Sequence, residues 1–389
     1  MKQAGACFFD AAREHLLSLG FQSMVGDPCL YKRVDTNGGV IIVCTYVDDF
    51  TFAVSDPSLI STFMAELRQR FVIDDGEGGP ISYILGIAVD QNLEKGTVHL
   101  NMELAITKLC RHILTDEELA RAVMVDSPMS TTPLQSRSDI ESESSPNFDY
   151  LSAVGSILHV ANCVRPDVSF AVGYLARFAA NPGPQHVKAA KRVLLYLFNT
   201  RTLGITYYRE SRQEKNRPIL FEGAKHPLDD GSNLTQVFVD SDYAGDESRR
   251  STQGCVVLMN SGPIAWFSVL GKTVALSTCE AEINAAVAAA KDALHISRLL
   301  KDLGYEKENR PIQTAEDNAA AIAQAESGLR SVRKAKHYEV KLAFLQQLVL
   351  SKDIAFRYCP TALQRADLLT KALPSDQHLR LTGMLLSYP

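Results

Sequence analysis

Four acidic side chains in the C-terminal part of the chain could together bind metal ions. They are Asp240, Glu282, Asp317 and Asp367. Four carboxylates packed together repel one another, and some would take up protons unless a cation offsets their charge. Carboxylate oxygens are hard ligands that suit Mg²⁺ or Mn²⁺. Two such ions about 4 Å apart would hold the attacking water and the leaving oxygen of a phosphodiester, so the set predicts a two-ion hydrolytic site.

A second acidic pair, Asp48 and Asp49, lies between two strand-like runs at Val40–Tyr46 and Phe50–Val54. Such runs separated by polar residues predict a β-hairpin with the aspartates at its bend. Adjacent aspartates at a tight turn can hold a metal ion beside a primer terminus. They are also common as plain turn residues, so both interpretations stay open.

A basic stretch contains Arg330, Arg333, Lys334, Lys336 and His337. Charge runs are usually solvated faces, but this one could bind phosphates in a salt-sensitive, sequence-independent way. The whole chain carries 40 basic and 45 acidic residues, a net charge of −5. A globally basic nucleic-acid coat is therefore excluded, whereas a local basic patch is not.

The elements that must position the four carboxylates are predicted to be a mixed sheet and its helices. The predicted strands are Val237–Val239, Gly254–Met259, Ile264–Leu276, Ile312–Ala315 and Ile354–Tyr358, and the helices are Ser277–Leu303, Asn318–Glu326, Tyr338–Val349 and Gln364–Leu373. If the first and fourth strands are neighbours, their aspartates converge at one edge of the sheet, where both flanking helices can reach.

Three other acidic residues near this set have structural interpretations. Glu280 stands three residues after Ser277, which is the spacing of a helix capping box, and we leave it out of the site. Asp242 and Asp246 lie in a predicted turn, where aspartate commonly bonds its own backbone.

Five short runs surround the four carboxylates: Val239–Asp246, Arg250–Gly254, Ser277–Glu282, Glu316–Asn318 and Arg365–Lys371. In this order they resemble the RNase H domain of copia-type LTR retrotransposon polyproteins. The resemblance implies that Asp240, Glu282, Asp317 and Asp367 bind two Mg²⁺ or Mn²⁺ ions. It also implies cleavage of the RNA strand of an RNA/DNA hybrid, with the basic stretch binding nucleic acid.

The run Tyr46–Asp49 resembles the palm motif of reverse transcriptases, and Asp27–Tyr31, Tyr83–Ile87 and Arg165–Asp167 are similar to the copia-type polymerase. The resemblance implies that Asp48 and Asp49 are ligands of a vestigial polymerase site. The family's third aspartate and its fingers lie upstream of the segment that begins at Met1. We therefore expect no independent DNA synthesis from this chain.

The expected fold is a multidomain α+β and α/β chain, with an incomplete polymerase palm and thumb before an RNase H-like mixed sheet flanked by helices. The predicted segments are a palm and thumb at 1–126, a Ser/Pro-rich linker at 127–147, a helical connection at 148–208, a polar linker at 209–235, the RNase H-like domain at 236–375 and a tail at 376–389.

The expected function is that of an RNase H-type endonuclease within a truncated retrotransposon polyprotein. One alternative is an inactive relic that binds nucleic acid without cutting it. The other is a polymerase fragment that needs a partner supplying the upstream segment. Whether the chain forms a homo-oligomer also stays open. With no apolar run of about 20 residues and eight scattered cysteines, we expect no membrane and an intracellular protein, cytoplasmic in virus-like particles or nuclear.

Overall fold

The structure is a computed structural model that describes residues 4–73, 79–120, 125–136, 148–209, 235–305, 310–328 and 338–389. It divides into two compact units: Met1–Ile81 with Leu294–Glu308, and Ser82–Ala293 with Asn309–Pro389. Residues 137–147 and 210–234, the larger parts of the two predicted linkers, lie outside the described residues. The segment boundaries given above stay predictions.

The first unit contains a four-stranded antiparallel sheet and two helices. Its elements are α1 (Ala4–Ser18), β1 (Gln22–Ser23), β2 (Leu30–Val34), β3 (Val40–Tyr46), β4 (Asp49–Val54) and α2 (Ser58–Leu67). The sheet and helices share a core that includes Leu16, Tyr31 and Phe63. The predicted hairpin is confirmed, since Tyr46 pairs with Asp49 across a two-residue bend.

A second four-stranded antiparallel sheet opens the second unit. Its strands are β5 (Tyr83–Ile84), β6 (Ile87–Asn92), β7 (Thr97–Asn101) and β8 (Ile205–Tyr208), and α3 (Glu103–Ile113) and α4 (Asp116–Ala120) follow β7. The apolar run from Tyr83 to Val89 is typical of one continuous strand, but Leu85 and Gly86 take φ values of +51° and +87° and turn the chain into a hairpin. The helical connection predicted at 148–208 is wrong at its end, where Ile205–Tyr208 forms strand β8.

Three helices of the predicted connection follow: α5 (Tyr150–Cys163), α6 (Ser169–Ala176) and α7 (Pro184–Asn199). A fully buried ion pair joins Arg165 to Asp167, with Arg165 Nη2 2.7 Å from Asp167 Oδ2. The Tyr196 hydroxyl donates to the same carboxylate oxygen at 2.7 Å. Because a buried charge needs a partner and full hydrogen bonding, this network fixes the turn between α5 and α6 against α7.

The second unit also contains a five-stranded mixed sheet with four helices, the first of which belongs to the first unit from Leu294 onwards. The strands are β9 (Gln236–Asp242), β10 (Thr252–Met259), β11 (Gly262–Leu270), β12 (Ile312–Glu316) and β13 (Ile354–Tyr358); the helices are α8 (Thr278–Asp302), α9 (Ala319–Glu326), α10 (Glu339–Leu350) and α11 (Ser375–Leu385). The strand order is β11-β10-β9-β12-β13, with β9 and β12 parallel. The predicted contact between the first and fourth strands is confirmed, and so is a mixed sheet flanked by helices.

The closing helix predicted at Gln364–Leu373 is wrong. The chain instead forms two short 3-10 turns, at Thr361–Leu363 and Arg365–Leu369. The buried Gln364 side chain explains the break, because its Nε2 donates to the Val239 carbonyl at 3.0 Å and its Oε1 accepts from the Ala366 N–H at 3.3 Å. These bonds tie the turn to β9 and compete with a regular helix.

Gly254 allows the second 3-10 turn to lie directly on the sheet. It pairs with Asp240 across β10 and β9. A Cβ at Gly254 would come within 2.7 Å of Thr370 Cγ2 and 2.8 Å of Leu369 Cβ. A side chain at position 254 would therefore push the 3-10 turn away from the sheet at the place where Gly254 pairs with Asp240.

We expect Gly254→Ala to destabilise the protein by about 1–3 kcal/mol, the usual cost of overpacking a core. Urea unfolding monitored by circular dichroism would measure it. Gly155→Ala is the matched control, because nothing lies within 4 Å of a Cβ at this helical glycine. It should stabilise α5 by about 0.5–1 kcal/mol. Equal free energies of unfolding for Gly254→Ala and wild type would contradict this packing.

Candidate active site

Three of the four predicted carboxylates meet at one edge of the mixed sheet. Asp240 lies near the end of β9, Asp317 directly follows β12, and Glu282 lies in the first turns of α8. One carboxylate oxygen from each of the three lies within 4.8 Å of the others. Parallel pairing of β9 and β12 brings the two aspartates together, because the ends of parallel strands meet at the same edge.

The three carboxylates are suited to a hard divalent cation. Asp240 and Glu282 are 3% and 6% exposed. The buried Oε2 of Glu282 has no hydrogen-bond partner among the described residues. Since an unpaired buried carboxylate oxygen is costly, and all the donors are hard oxygens, this set fits Mg²⁺ or Mn²⁺.

Asp367 lies on the other side of Asp240, outside the group of three. It is fully buried in the second 3-10 turn. Lys371 Nζ lies 2.8 Å from Asp367 Oδ1 and 3.7 Å from Asp240 Oδ2. Thr370 Oγ1 also donates to Asp240 Oδ2, at 2.5 Å. The structure therefore joins Asp367 to the cluster through a lysine.

Burial and mutual repulsion disturb the ionisation of these groups. Burial, then the charges of Glu316 and Asp240, raises the pKa of Glu282 well above its usual range. Burial and then the Asp240 charge raise the pKa of Asp367 and of Asp317 in the same way. The metal-free cluster therefore retains protons at pH values where exposed carboxyls have lost them.

Glu316 is a buried carboxyl that the sequence-based site did not include. It ends β12, is 0% exposed, and its Oε1 accepts from the Asn318 N–H at 2.9 Å. Burial is the main reason that its pKa is raised, to about 8. Ile312, Thr314 and Glu316 lie on one face of β12, and this spacing of two residues was the available signal.

The three acidic residues interpreted structurally behave as expected in part. Ser277 Oγ accepts from the Glu280 N–H at 3.1 Å, and Glu280 Oε2 accepts from the Leu276 N–H at 2.8 Å, which confirms the helix cap. Asp246 Oδ1 accepts from the Ser248 N–H at 2.9 Å within the turn. The turn predicted at Asp242 is wrong, because Asp242 is the last residue of β9 and pairs with Thr252. It is half-buried near Asp240, and burial raises its pKa.

Asp48 and Asp49 lie at the exposed bend of the β3–β4 hairpin. Among the described residues, neither belongs to a group of three or more side chains that could hold a metal ion. Their role as polymerase ligands stays a prediction. The basic residues Arg330, Arg333, Lys334, Lys336 and His337 lie outside the described residues, so their role in binding nucleic acid also stays a prediction.

Comparison with known proteins gives matches over both halves of the chain. Residues 1–131 match the family described as "Reverse transcriptase (RNA-dependent DNA polymerase)". The "Retrovirus-related Pol polyprotein from transposon TNT 1-94" of Nicotiana tabacum is 28% identical over 388 residues, 97% of this chain and 27% of the relative. The "Secreted RxLR effector protein 161" of Plasmopara viticola is 38% identical over 152 residues, 39% of this chain and 93% of that relative.

The chain belongs to the copia-type retrotransposon Pol family. It spans about a quarter of the length of the TNT 1-94 polyprotein. Among solved structures, LC11-RNase H1 isolated from compost is similar with a TM-score of 0.29 and 18% identity, over 36% of this chain and 93% of that one.

In the described part of this Pol chain, no helix combines the length and apolar character needed to cross a bilayer.

The raised pKa of Glu282 predicts how metal-free stability changes with pH. A carboxyl with a folded pKa above its unfolded value stabilises the fold below the unfolded pKa and loses that contribution as pH rises through the folded pKa. We therefore expect Glu282→Gln, which stays uncharged, to be more stable than wild type in EDTA at pH 8 by about 1–3 kcal/mol. The difference should shrink towards pH 5.

Thermal denaturation in EDTA across this pH range measures the effect. Exposed Glu94→Gln is the matched control and should follow wild type. Adding Mg²⁺ should stabilise wild type more than Glu282→Gln, because only the folded site binds the ion. A Glu282→Gln variant that is less stable than wild type in EDTA at pH 8 would contradict the carboxylate repulsion.

Proposed function

We propose that this chain is an RNA/DNA hybrid ribonuclease that hydrolyses the RNA strand with two Mg²⁺ or Mn²⁺ ions. One observation carries the proposal: three carboxylates from separate elements have oxygens within 4.8 Å of one another, and the buried Glu282 Oε2 lacks a partner among the described residues. Membership of the copia-type Pol family supports the same reaction. A cluster without a ligand would be a costly arrangement to keep buried.

In this proposal the carboxylates divide between two ions. Asp240, Glu282 and Asp317 would hold one ion, and Asp240 with Asp367 would hold the other. Asp240 would serve both ions because it belongs to the group of three and also lies near Lys371, which contacts Asp367. When bound, the ions would activate the attacking water and stabilise the leaving oxygen.

The protein's own part is to hold these groups in place. Thr361 Oγ1 donates to Asp317 Oδ2 at 2.9 Å, and Gln377 Nε2 donates to Asp367 Oδ2 at 3.2 Å. Such bonds orient ligand oxygens before a metal ion arrives. The family resemblance implies products with a 3′-hydroxyl and a 5′-phosphate. Contacts to the 2′-hydroxyl would distinguish RNA from DNA at the cut.

The test is cleavage of a labelled RNA/DNA hybrid in Mg²⁺ by wild type and by Asp240→Asn. We expect wild type to cut the RNA strand and the variant to be at least about 100-fold slower, since a shared metal ligand supports several kcal/mol of transition-state stabilisation. Exposed Asp10→Asn is the matched control and should cut like wild type. Cleavage should also fall at acidic pH, because protons compete for the carboxylates.

The main alternative is an inactive relic that binds nucleic acid without cutting it. The same experiment distinguishes the relic from an active ribonuclease. A wild-type protein that is folded and binds the hybrid without cutting it in Mg²⁺ or Mn²⁺ would be a nucleic-acid-binding remnant. Equal cleavage by wild type and Asp240→Asn would contradict the assignment of the site.

The second candidate function is RNA-directed DNA polymerase, favoured by the reverse transcriptase match over residues 1–131. We propose that the chain does not extend a primer by itself. Primer extension that requires an added upstream Pol fragment would support the partner-dependent alternative. Extension by this chain alone would show that the polymerase is intact.

A further inference from the structure

Lys371 lies between the two carboxylates proposed to bind the second ion. Its Nζ is 2.8 Å from Asp367 Oδ1 and 3.7 Å from Asp240 Oδ2, and its side chain is 36% exposed. Lys371 follows Asp367 by four residues, just beyond the 3-10 turn. An ammonium between two carboxylates satisfies the same charge requirement as a bound cation.

The other side of the cluster differs in this respect. No described basic side chain forms an ion pair with Glu282 or Asp317. The buried Glu282 Oε2 and Asp367 Oδ1 both lack a hydrogen bond among the described residues, but Asp367 Oδ1 has the Lys371 ammonium 2.8 Å away. The Glu282 and Asp317 side of the group of three is therefore open to a cation, whereas the Asp240 and Asp367 side already has one.

Asp242 offers the ammonium a second position. It lies two residues after Asp240, so both side chains project from the same face of β9. It is half-buried, and Lys371 acts electrostatically on it, as it also does on Glu282 and Asp317. The lysine side chain is a flexible four-carbon stem, so its ammonium can change position without any movement of the backbone.

We propose that the Lys371 ammonium occupies the position of the second metal ion in the metal-free protein, so that the second ion binds only by displacing it towards Asp242. The inference rests on the proposed function, because it takes Asp240 and Asp367 as ligands. Lys371 is then a positioning residue that makes the second ion bind more weakly than the first. The first ion enters an open site, and the second competes with a tethered cation.

Competition by a tethered ammonium predicts a selective effect on one ion. Removing the positive charge of Lys371 strengthens binding at the position that it fills. Its effect on the more distant position is smaller, because the interaction falls with distance and solvent screens it. A general change in net charge would instead act on both positions alike.

The experiment is a Mn²⁺ titration of the full chain without nucleic acid, with free Mn²⁺ counted by electron paramagnetic resonance. We expect wild type to bind one ion more tightly than a second. Lys371→Gln should bind the second ion at least about tenfold more tightly, and change the first by less than about threefold. Exposed Lys272→Gln removes the same charge elsewhere and should match wild type.

Lys371→Arg keeps the charge and provides a second variant in case Lys371→Gln does not fold. Lys371→Arg should bind the second ion as weakly as wild type does. A second-ion affinity in Lys371→Gln equal to that in Lys272→Gln would overturn the inference, and so would equal tightening of both ions. If wild type binds no more Mn²⁺ than Asp240→Asn, the metal site itself is absent and the proposed function fails as well.

Discussion

Mutual repulsion among buried carboxylates is the constraint on which the candidate site depends. Asp240, Glu282 and Glu316 are almost fully buried, and Asp317 completes the cluster at its edge. Burial, and after it the charges of neighbouring carboxylates, raises the pKa of Glu282 and Glu316, so these two groups retain protons when no cation is bound. Binding of a divalent cation would remove both the repulsion and the need for those protons.

The fold holds the cluster together against that repulsion through backbone features. Parallel pairing of β9 and β12 sets two aspartates side by side. Gln364 bonds the Val239 carbonyl, and Gly254 leaves room for the 3-10 turn, so Asp367 and Lys371 reach the same edge. The cluster's geometry is thus set by the sheet and turn rather than by the carboxylates themselves.

The sequence predicted the elements whose signals are local. The β3–β4 hairpin follows from β-branched runs on either side of Asp48, and the start of α8 follows from the spacing of Ser277 and Glu280. The order of acidic residues in the mixed sheet also identified which carboxylates to consider. What local patterns missed depends on contacts distant in sequence.

Three particular misses have this cause. The 3-10 turn at Arg365–Leu369 forms because Gln364 bonds a strand 125 residues away, which no helical periodicity records. Glu316 became a member of the cluster only when β12 was placed beside β9. The bend at Leu85 and Gly86 depends on two left-handed residues, whereas the apolar run from Tyr83 to Val89 indicates a continuous strand.

The most direct test of the account is the location of Mn²⁺ by anomalous diffraction from crystals of the chain. The account predicts one ion coordinated by Asp240, Glu282 and Asp317, and a second bound by Asp240 and Asp367 with Lys371 turned away. Mn²⁺ bound elsewhere while these carboxylates remain without an ion would contradict the claim that their repulsion is relieved by metal.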